Sequence, residues 1–376
     1  MAKSAAGIIF SSLNNNTLSR LTNDRTVAAI PFACRYRLVD FALSNLINAN
    51  ISNISIVANY NYRSLAEHVG SGKDWDLARR AGGVNFISPF QTAYSNNAQM
   101  FSTRLEALVN MKEYINEFKE DYVVLMDSDN VLNIDLLDVI ASHEASGAEL
   151  TIVTRSITSG YSSKHPRMML ASESGRISDI TMSSTYTEKT PQLSLGILVT
   201  STAHLRIIIE EAEAYNLNSL TGIISRNYKA KNYRIYNYNG YVAPVSSFLD
   251  YYKHSMELAK DERARASLLW KKEAPIFTRV HNSAPVVYAE GASVESSMIA
   301  DDCVIEGTVI NSVLFRGVRV ERGAVVRDSV LFSGTHVGKK ASLNCIVTDK
   351  DVYISDGVIL SGNENMPFYV QKRRKV

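Results

Sequence analysis

Over the first 260 residues the apolar positions fall in two rhythms. Short unbroken runs, AAGIIF (Ala5–Phe10), ISIVA (Ile54–Ala58), the VVLM inside DYVVLMDSDN (Asp121–Asn130), ELTIVT (Glu149–Thr154), LSLGILVT (Leu193–Thr200) and YRIYNY (Tyr233–Tyr238), have the length and branching of buried strands. Between them the spacing changes to three and four. Leu38, Phe41, Ala42 and Leu46 share one face and predict a helix that begins near Arg37. Similar patterns predict helices over about residues 103–119, 134–146, 203–215 and 248–260. Strand and helix in alternation predict an α/β domain built on a doubly wound, mostly parallel sheet. Residues 70–100, rich in Gly, Asn, Ser and Gln, read as loop with one edge hairpin.

The last hundred residues follow another rule. ESSMI, INSVL, RDSVL and LNCIV recur, with second members Ser296, Asn311, Asp328 and Asn344 at steps of 15, 17 and 16 residues. Val325, Leu331, Val337 and Leu343 stand six apart, as do Ile346, Val352 and Val358, and Gly317 and Gly323 keep the same step. A six-residue apolar repeat, three to a coil, predicts a left-handed parallel β-helix in which each flat face turns one aliphatic inward per hexapeptide. The charged segment 261–280 between the two patterns reads as a linker. The expected organisation is therefore an α/β domain over 1–260, a linker over 261–280 and a β-helix over 281–376.

Composition narrows the function classes. The chain has 376 residues, 45% of them hydrophobic and 21% charged, with a net charge of +2, so a general nucleic-acid footprint is not expected. One dense basic run, Lys372–Lys375, reads as a solvated tail, an effector-facing end or a nucleic-acid arm. Cys34, Cys303 and Cys345 lie far apart without metal-ligand spacing, which points to reduced thiols in a cytoplasmic protein. No apolar run reaches the length of a membrane-spanning helix.

Candidate chemistry gathers at the strand ends. Asp127-Ser128-Asp129 places two carboxylates just past a buried strand. They can hold a divalent ion against a nucleotide phosphate, or cap the next helix. The first strand-to-helix loop, Phe10–Leu21, has no glycine to let backbone amides approach a phosphate; Arg20, and Arg25 just past it, remain as anion partners or read as solvated surface charges. Arg35 and Arg37, at i and i+2 in an extended segment, point the same way and can grip an anion, or Arg37 can anchor the helix through Asp40. Glu188-Lys189 before Pro191 offers a point charge for a sugar phosphate, or is a surface ion pair. His336 is the single histidine of the repeats. With no loop interrupting the coils, it gives little support to an acyltransferase.

The stretch LTNDRTVAAIPFACRYRLVDFALSN (Leu21–Asn45), with VVLMDSDN, YTEKTPQLSLGILVT, SFLDYYKHSMEL, PIFTRV and NSVLFRGVRVERGAVVRDSVL, resembles the ADP-glucose pyrophosphorylase (glucose-1-phosphate adenylyltransferase) family along the whole chain. Within it the chain is most similar to the regulatory, GlgD-type subunit of bacterial glycogen synthesis. The resemblance implies a nucleotidyltransferase (GT-A-like) domain followed by a left-handed β-helix. It also implies a catalytic paralogue as partner in a hetero- or homotetramer, and an anionic sugar-phosphate or nucleotide effector. The departures are specific. The family's glycine loop after the first strand reads GIIFSSLNNNTLSRL here, and its phosphate-binding lysine is matched by Val27. Its GTADA motif reads Ser102-Thr103-Arg104-Leu105-Glu106, and its later metal aspartate falls in Tyr241–Ser246, where Pro244 stands. Asp129 survives from the metal motif, and Glu188 and Lys189 from the sugar-phosphate motif. Magnesium is then implied only if nucleotide still binds. Arg35 and Arg37 match the segment implicated in effector binding. The resemblance implies a largely non-catalytic subunit; the alternative is an active enzyme that makes ADP-glucose and pyrophosphate from ATP and glucose 1-phosphate.

Overall fold

Ala5–Phe10 is buried along nearly its whole length and forms β1 of a nine-stranded sheet. The computed structural model describes residues 4–11, 18–78, 82–89, 100–157, 162–185 and 192–376. The other strands in chain order are β2 (Asn53–Val57), β3 (Gly83–Ile87), β4 (Tyr122–Asp127), β5 (Leu150–Ser156), β6 (Ser162–Glu173), β7 (Arg176–Thr185), β8 (Gln192–Ser201) and β9 (Tyr233–Asn237). Their order across the sheet is β3-β2-β1-β4-β8-β5-β9-β7-β6.

The half from β3 to β4 is parallel throughout, as is the pair β5 and β9. Strand β8 runs antiparallel to both β4 and β5, and β6 and β7 form an antiparallel hairpin. The sheet is thus mixed, and the mostly parallel expectation describes its first half. Residues 83–87 form a strand that pairs parallel with β2, and residues 79–81 and 90–99 of the stretch expected to hold an edge hairpin lie outside the described residues. The β6–β7 hairpin carries only scattered apolar residues among polar ones over Arg176–Thr185, so no long apolar run announces it.

Helices sit close to their sequence-predicted positions. Leu38–Asn48 buries Leu38, Phe41, Ala42 and Leu46, each at most 4% exposed. Within it the buried Asn45 donates to the Leu132 carbonyl at 3.0 Å and accepts from the Ile134 amide at 3.1 Å, satisfying two backbone groups that lie past β4. The pattern over 103–119 is two helices, Arg104–Asn110 and Lys112–Asn116, broken at Met111. Phe248–Lys260 is one helix, begun by Ser247, whose hydroxyl accepts from the Asp250 amide. The expected linker contains a helix too, Glu262–Leu269, capped by Asp261.

The repeats form three five-stranded, wholly parallel sheets, the three faces of the left-handed β-helix. Residue columns run down its interior: Ile305, Val320, Val337 and Ile354 on one face, and Val309, Val326 and Leu343 on the next. The six-step series is right at Leu331, Val337 and Leu343 but not at Val325, which is half-buried while Val326 points inward. The LNCIV repeat also slips by one. Asn344 pairs with Arg327, and Cys345, not Asn344, takes the left-handed corner held in earlier coils by Ser296, Asn311 and Asp328. The last step between corners, residue 328 to residue 345, is therefore 17 residues.

By their contacts the residues group into two compact units. One comprises Met1–Asn14, Phe41–Val242 and Ala274–Phe277; the other comprises Asn15–Asp40, Ala243–Glu273 and Thr278–Val376. The segment after the first strand and the helix Phe248–Lys260 thus share a unit with the β-helix. Tyr251 in that helix donates to the Pro31 carbonyl at 2.9 Å, and Tyr252 to the Asp328 carbonyl at 2.8 Å. No helix among the described residues is long and apolar enough to cross a membrane.

Candidate functional site

The first unit brings its acidic strand end to one place. Strand β4 closes on Asp127, whose side chain is 13% exposed, beside Phe10 at the end of β1. Ser128 Oγ donates to the Phe10 carbonyl at 3.0 Å and locks the two strand ends together. Neither aspartate caps the following helix; Asp135 does that, accepting from the amides of Leu137 and Asp138. Asp129 Oδ1 instead accepts from Asn130 Nδ2 at 3.1 Å, and Asn130 Oδ1 accepts from Arg167 Nη2 at 3.1 Å.

A cation occupies the carboxylate. Arg104 Nη2 donates to Asp127 Oδ2, and its guanidinium carbon stands 6.0 Å from the Phe10 ring centroid. The helix that starts at Arg104 is fixed by a capping box: Thr103 Oγ1 accepts from the Glu106 amide at 3.1 Å, and Glu106 reaches back to the Ser102 amide at 2.7 Å. Gly196 lies against the same carboxylate, at φ +71° in a bulge of β8, where a Cβ would overlap Asp127 Oδ2. Burial pushes the Asp127 carboxyl up to about 7; Arg104 pulls it down, Asp129 pushes it up and Arg167 pulls it down.

Sequence reasoning found the carboxylates but missed Arg104 and Gly196 as parts of the same site. Arg104 lies 23 positions from Asp127, and nothing local signals the pairing. A magnesium ion does not fit on Asp127, which is already paired with a guanidinium, and among the described residues no group of three His, Cys, Asp or Glu side chains could hold a metal. Glu188 and Lys189 lie outside the described residues, as does most of the loop between Phe10 and Leu21.

The second unit holds the remaining predicted residues. Val27 is 1% exposed in a 3₁₀ turn, Val27–Ala29, so an apolar packing residue stands where the family pattern has its lysine. Arg25 is not a solvated charge. It is 2% exposed, donates to Asp349 Oδ1 at 2.7 Å and stands 3.2 Å from Asp24. Asp349 also accepts from Tyr369 Oη and from the Lys350 amide, each at 2.7 Å. The basic C-terminal run is built in rather than loose: Lys372 pairs with Asp24 at 2.6 Å, and the Tyr353 amide donates to the Arg374 carbonyl at 2.8 Å. His336 stacks on Tyr353 with its ring 4.8 Å away and stands 3.4 Å from Glu321.

Arg35 and Arg37 do not share an extended strand. Pro31–Phe32 and Tyr36–Arg37 pair as a small hairpin, and Arg35 sits in its turn, exposed, 5.9 Å over the Tyr36 ring. Ala33 and Cys34 take left-handed conformations there, φ +47° and +58°, which L-residues adopt at a cost. The Arg37 amide donates to Asp40 Oδ2 at 2.9 Å, so the helix start is anchored through the backbone.

Lys350 lies among these cations. Burial, then Arg37 and Arg25, push its ammonium down to about 8, partly opposed by Asp349, with Lys372 pushing down as well. Its folded-state value is below its ordinary 10.5, so the unfolded chain binds more protons between about pH 8 and 10.5 and stability rises with pH through that window. Below pH 8 the full penalty is present. Lys350→Met is therefore expected to raise the unfolding free energy measured by urea denaturation at pH 7 by about 1–3 kcal/mol, with a higher urea midpoint, and to flatten the rise between pH 8 and 10. A lower midpoint at pH 7 would show that the ammonium stabilises the fold.

Comparison with known proteins follows the same two-part plan. Residues 7–181 match the nucleotidyl transferase family and residues 284–366 the GlmU-like C-terminal hexapeptide family. Glycogen biosynthesis protein GlgD of Bacillus subtilis (strain 168) is 30% identical over 366 residues, covering 97% of this chain and 95% of that protein. The chain belongs to the ADP-glucose pyrophosphorylase family. Its members with similar coverage include the glucose-1-phosphate adenylyltransferase of Bacillus thuringiensis (strain Al Hakam), 28% identical over 362 residues, 93% of this chain and 92% of that enzyme. The enzyme of Bacillus anthracis matches to the same extent. The family thus includes relatives named as enzymes and one named for the pathway alone.

Proposed function

We propose that this chain is the regulatory, largely non-catalytic subunit of a glucose-1-phosphate adenylyltransferase acting in glycogen biosynthesis. It assembles with a catalytic paralogue and promotes that partner's synthesis of ADP-glucose. The observation that carries this reading is the Arg104–Asp127 pair: a fixed guanidinium neutralises the strand-end carboxylate in a nucleotidyltransferase fold. Phosphoryl-group chemistry depends on preorganised positive charge and metal at the transferring oxygens. Here the positions that match the family's lysine and later metal aspartate hold Val27 and Pro244, and Asp127, two residues before the surviving Asp129, is already paired with Arg104. The β-helix serves assembly in this reading, and Arg35 and Arg37 serve recognition of an anionic effector.

The test is an assay of ADP-glucose formation by the purified chain, the paralogue and their mixture. Asp129→Asn in this chain is expected to leave the rate of the mixture within about twofold of the unmodified mixture. A loss of most of the mixture's activity in that variant would assign the chemistry to this chain.

A further inference from the structure

We propose that Arg104 is a built-in counter-cation that shuts the Asp127 carboxylate to divalent metal. The inference deepens the regulatory reading and rests on it for its biological sense, but its evidence is the geometry alone. Arg104 Nη2 donates directly to Asp127 Oδ2, the carboxylate oxygen that faces Gly196. A divalent ion on that oxygen would have to displace the guanidinium or lie against it, and like charges at contact distance in a partly shielded site repel strongly.

Three features keep the guanidinium in place. Its helix is held by the capping box of Thr103 and Glu106, so the first turn, which carries Arg104, is not free to unwind. Phe10 lies under the guanidinium at 6.0 Å, and Arg104 itself is only 33% exposed. The bulged backbone at Gly196 lies against the same Asp127 Oδ2, where not even a Cβ would fit, and so hems the carboxylate in beside its partner. Arg167, hydrogen-bonded to Asn130, adds a second positive charge near Asp127. The strand end is thereby balanced by side chains of the same unit.

The experiment is a Mn²⁺ titration of the full chain, read as the loss of the free-ion signal in electron paramagnetic resonance and as a metal-dependent change in melting temperature. Neither readout needs turnover. The wild type is expected to bind no Mn²⁺ at millimolar concentration. Arg104→Ala and Arg104→Gln are both expected to bind at least tenfold more tightly than wild type; the glutamine keeps a neutral donor for Asp127 and guards against loss of folding. Adding Asp127→Asn to either is expected to abolish the gain. Submillimolar Mn²⁺ binding by wild type would overturn the inference, as would two folded Arg104 variants that bind no better. A wild type that binds Mn²⁺ yet makes no ADP-glucose would sink this inference and leave the regulatory reading standing.

Discussion

Arg25→Ala is expected to lower the unfolding free energy of the β-helix unit by about 3–5 kcal/mol, because it leaves a buried carboxylate without its cation. The Arg25 and Asp349 side chains are 3% and 4% exposed and meet at 2.7 Å. The guanidinium also lies 5.8 Å over the Phe332 ring, so truncation removes packing as well as charge. Asp349 would keep only the Tyr369 hydroxyl and the Lys350 amide as neutral donors. Replacing both partners tests the mechanism: Arg25→Met with Asp349→Asn should cost clearly less than the sum of the single changes. Guanidinium denaturation followed by far-ultraviolet circular dichroism measures the effect. A cost below about 1 kcal/mol for Arg25→Ala would mean that the ion pair contributes little and that the segment is held by its apolar residues.

The second large effect is expected in the other unit. Gly196→Ala should destabilise it by about 2–4 kcal/mol, from two sources that can be separated. The backbone at φ +71° disfavours any L-residue, and the new methyl group would overlap Asp127 Oδ2. Gly147 has a similar φ of +58° with nothing within 4 Å of its Cβ position, so Gly147→Ala reports the backbone cost alone, about 1 kcal/mol. The difference between the two variants is the crowding at the carboxylate. Trp75 is 1% exposed and Trp270 is 56% exposed, so the burial-dependent fluorescence change on unfolding comes chiefly from Trp75, in the same unit as Gly196. Equal costs at positions 196 and 147 would mean that Asp127 moves aside freely, against the wedged geometry.

Much of the architecture was legible because it rests on periodicity. The run Ala5–Phe10, the helix face of Leu38, Phe41, Ala42 and Leu46, and the helix Phe248–Lys260 each carry their signal within a dozen residues. Hexapeptide repeats are legible for the same reason, since every coil repeats the burial of the last. The errors lie where local pattern underdetermines geometry. Strand β8 reads as one more buried strand, and nothing within it says that it runs antiparallel to β4. Cys345 takes its corner because the coil, not the resemblance of LNCIV to RDSVL, fixes the register.

The candidate site was legible as a set of losses. Val27 and Pro244 stand where a phosphate partner and a metal ligand are expected, and both are visible without a structure. What has taken their place was not visible. Arg104 reads locally as part of a decayed motif, and Arg25 as a surface charge. Their partners, Asp127 and Asp349, lie 23 and 324 positions away, and only the folded chain brings each pair together.

The most direct test of the account is the rate of ADP-glucose formation from ATP and glucose 1-phosphate by this chain purified alone, set beside its catalytic paralogue and the mixture of the two. The predicted result is a lone-chain rate at least about a thousandfold below that of the paralogue, with a mixture faster than the paralogue by itself. Turnover by the lone chain at a rate comparable to the paralogue would contradict it.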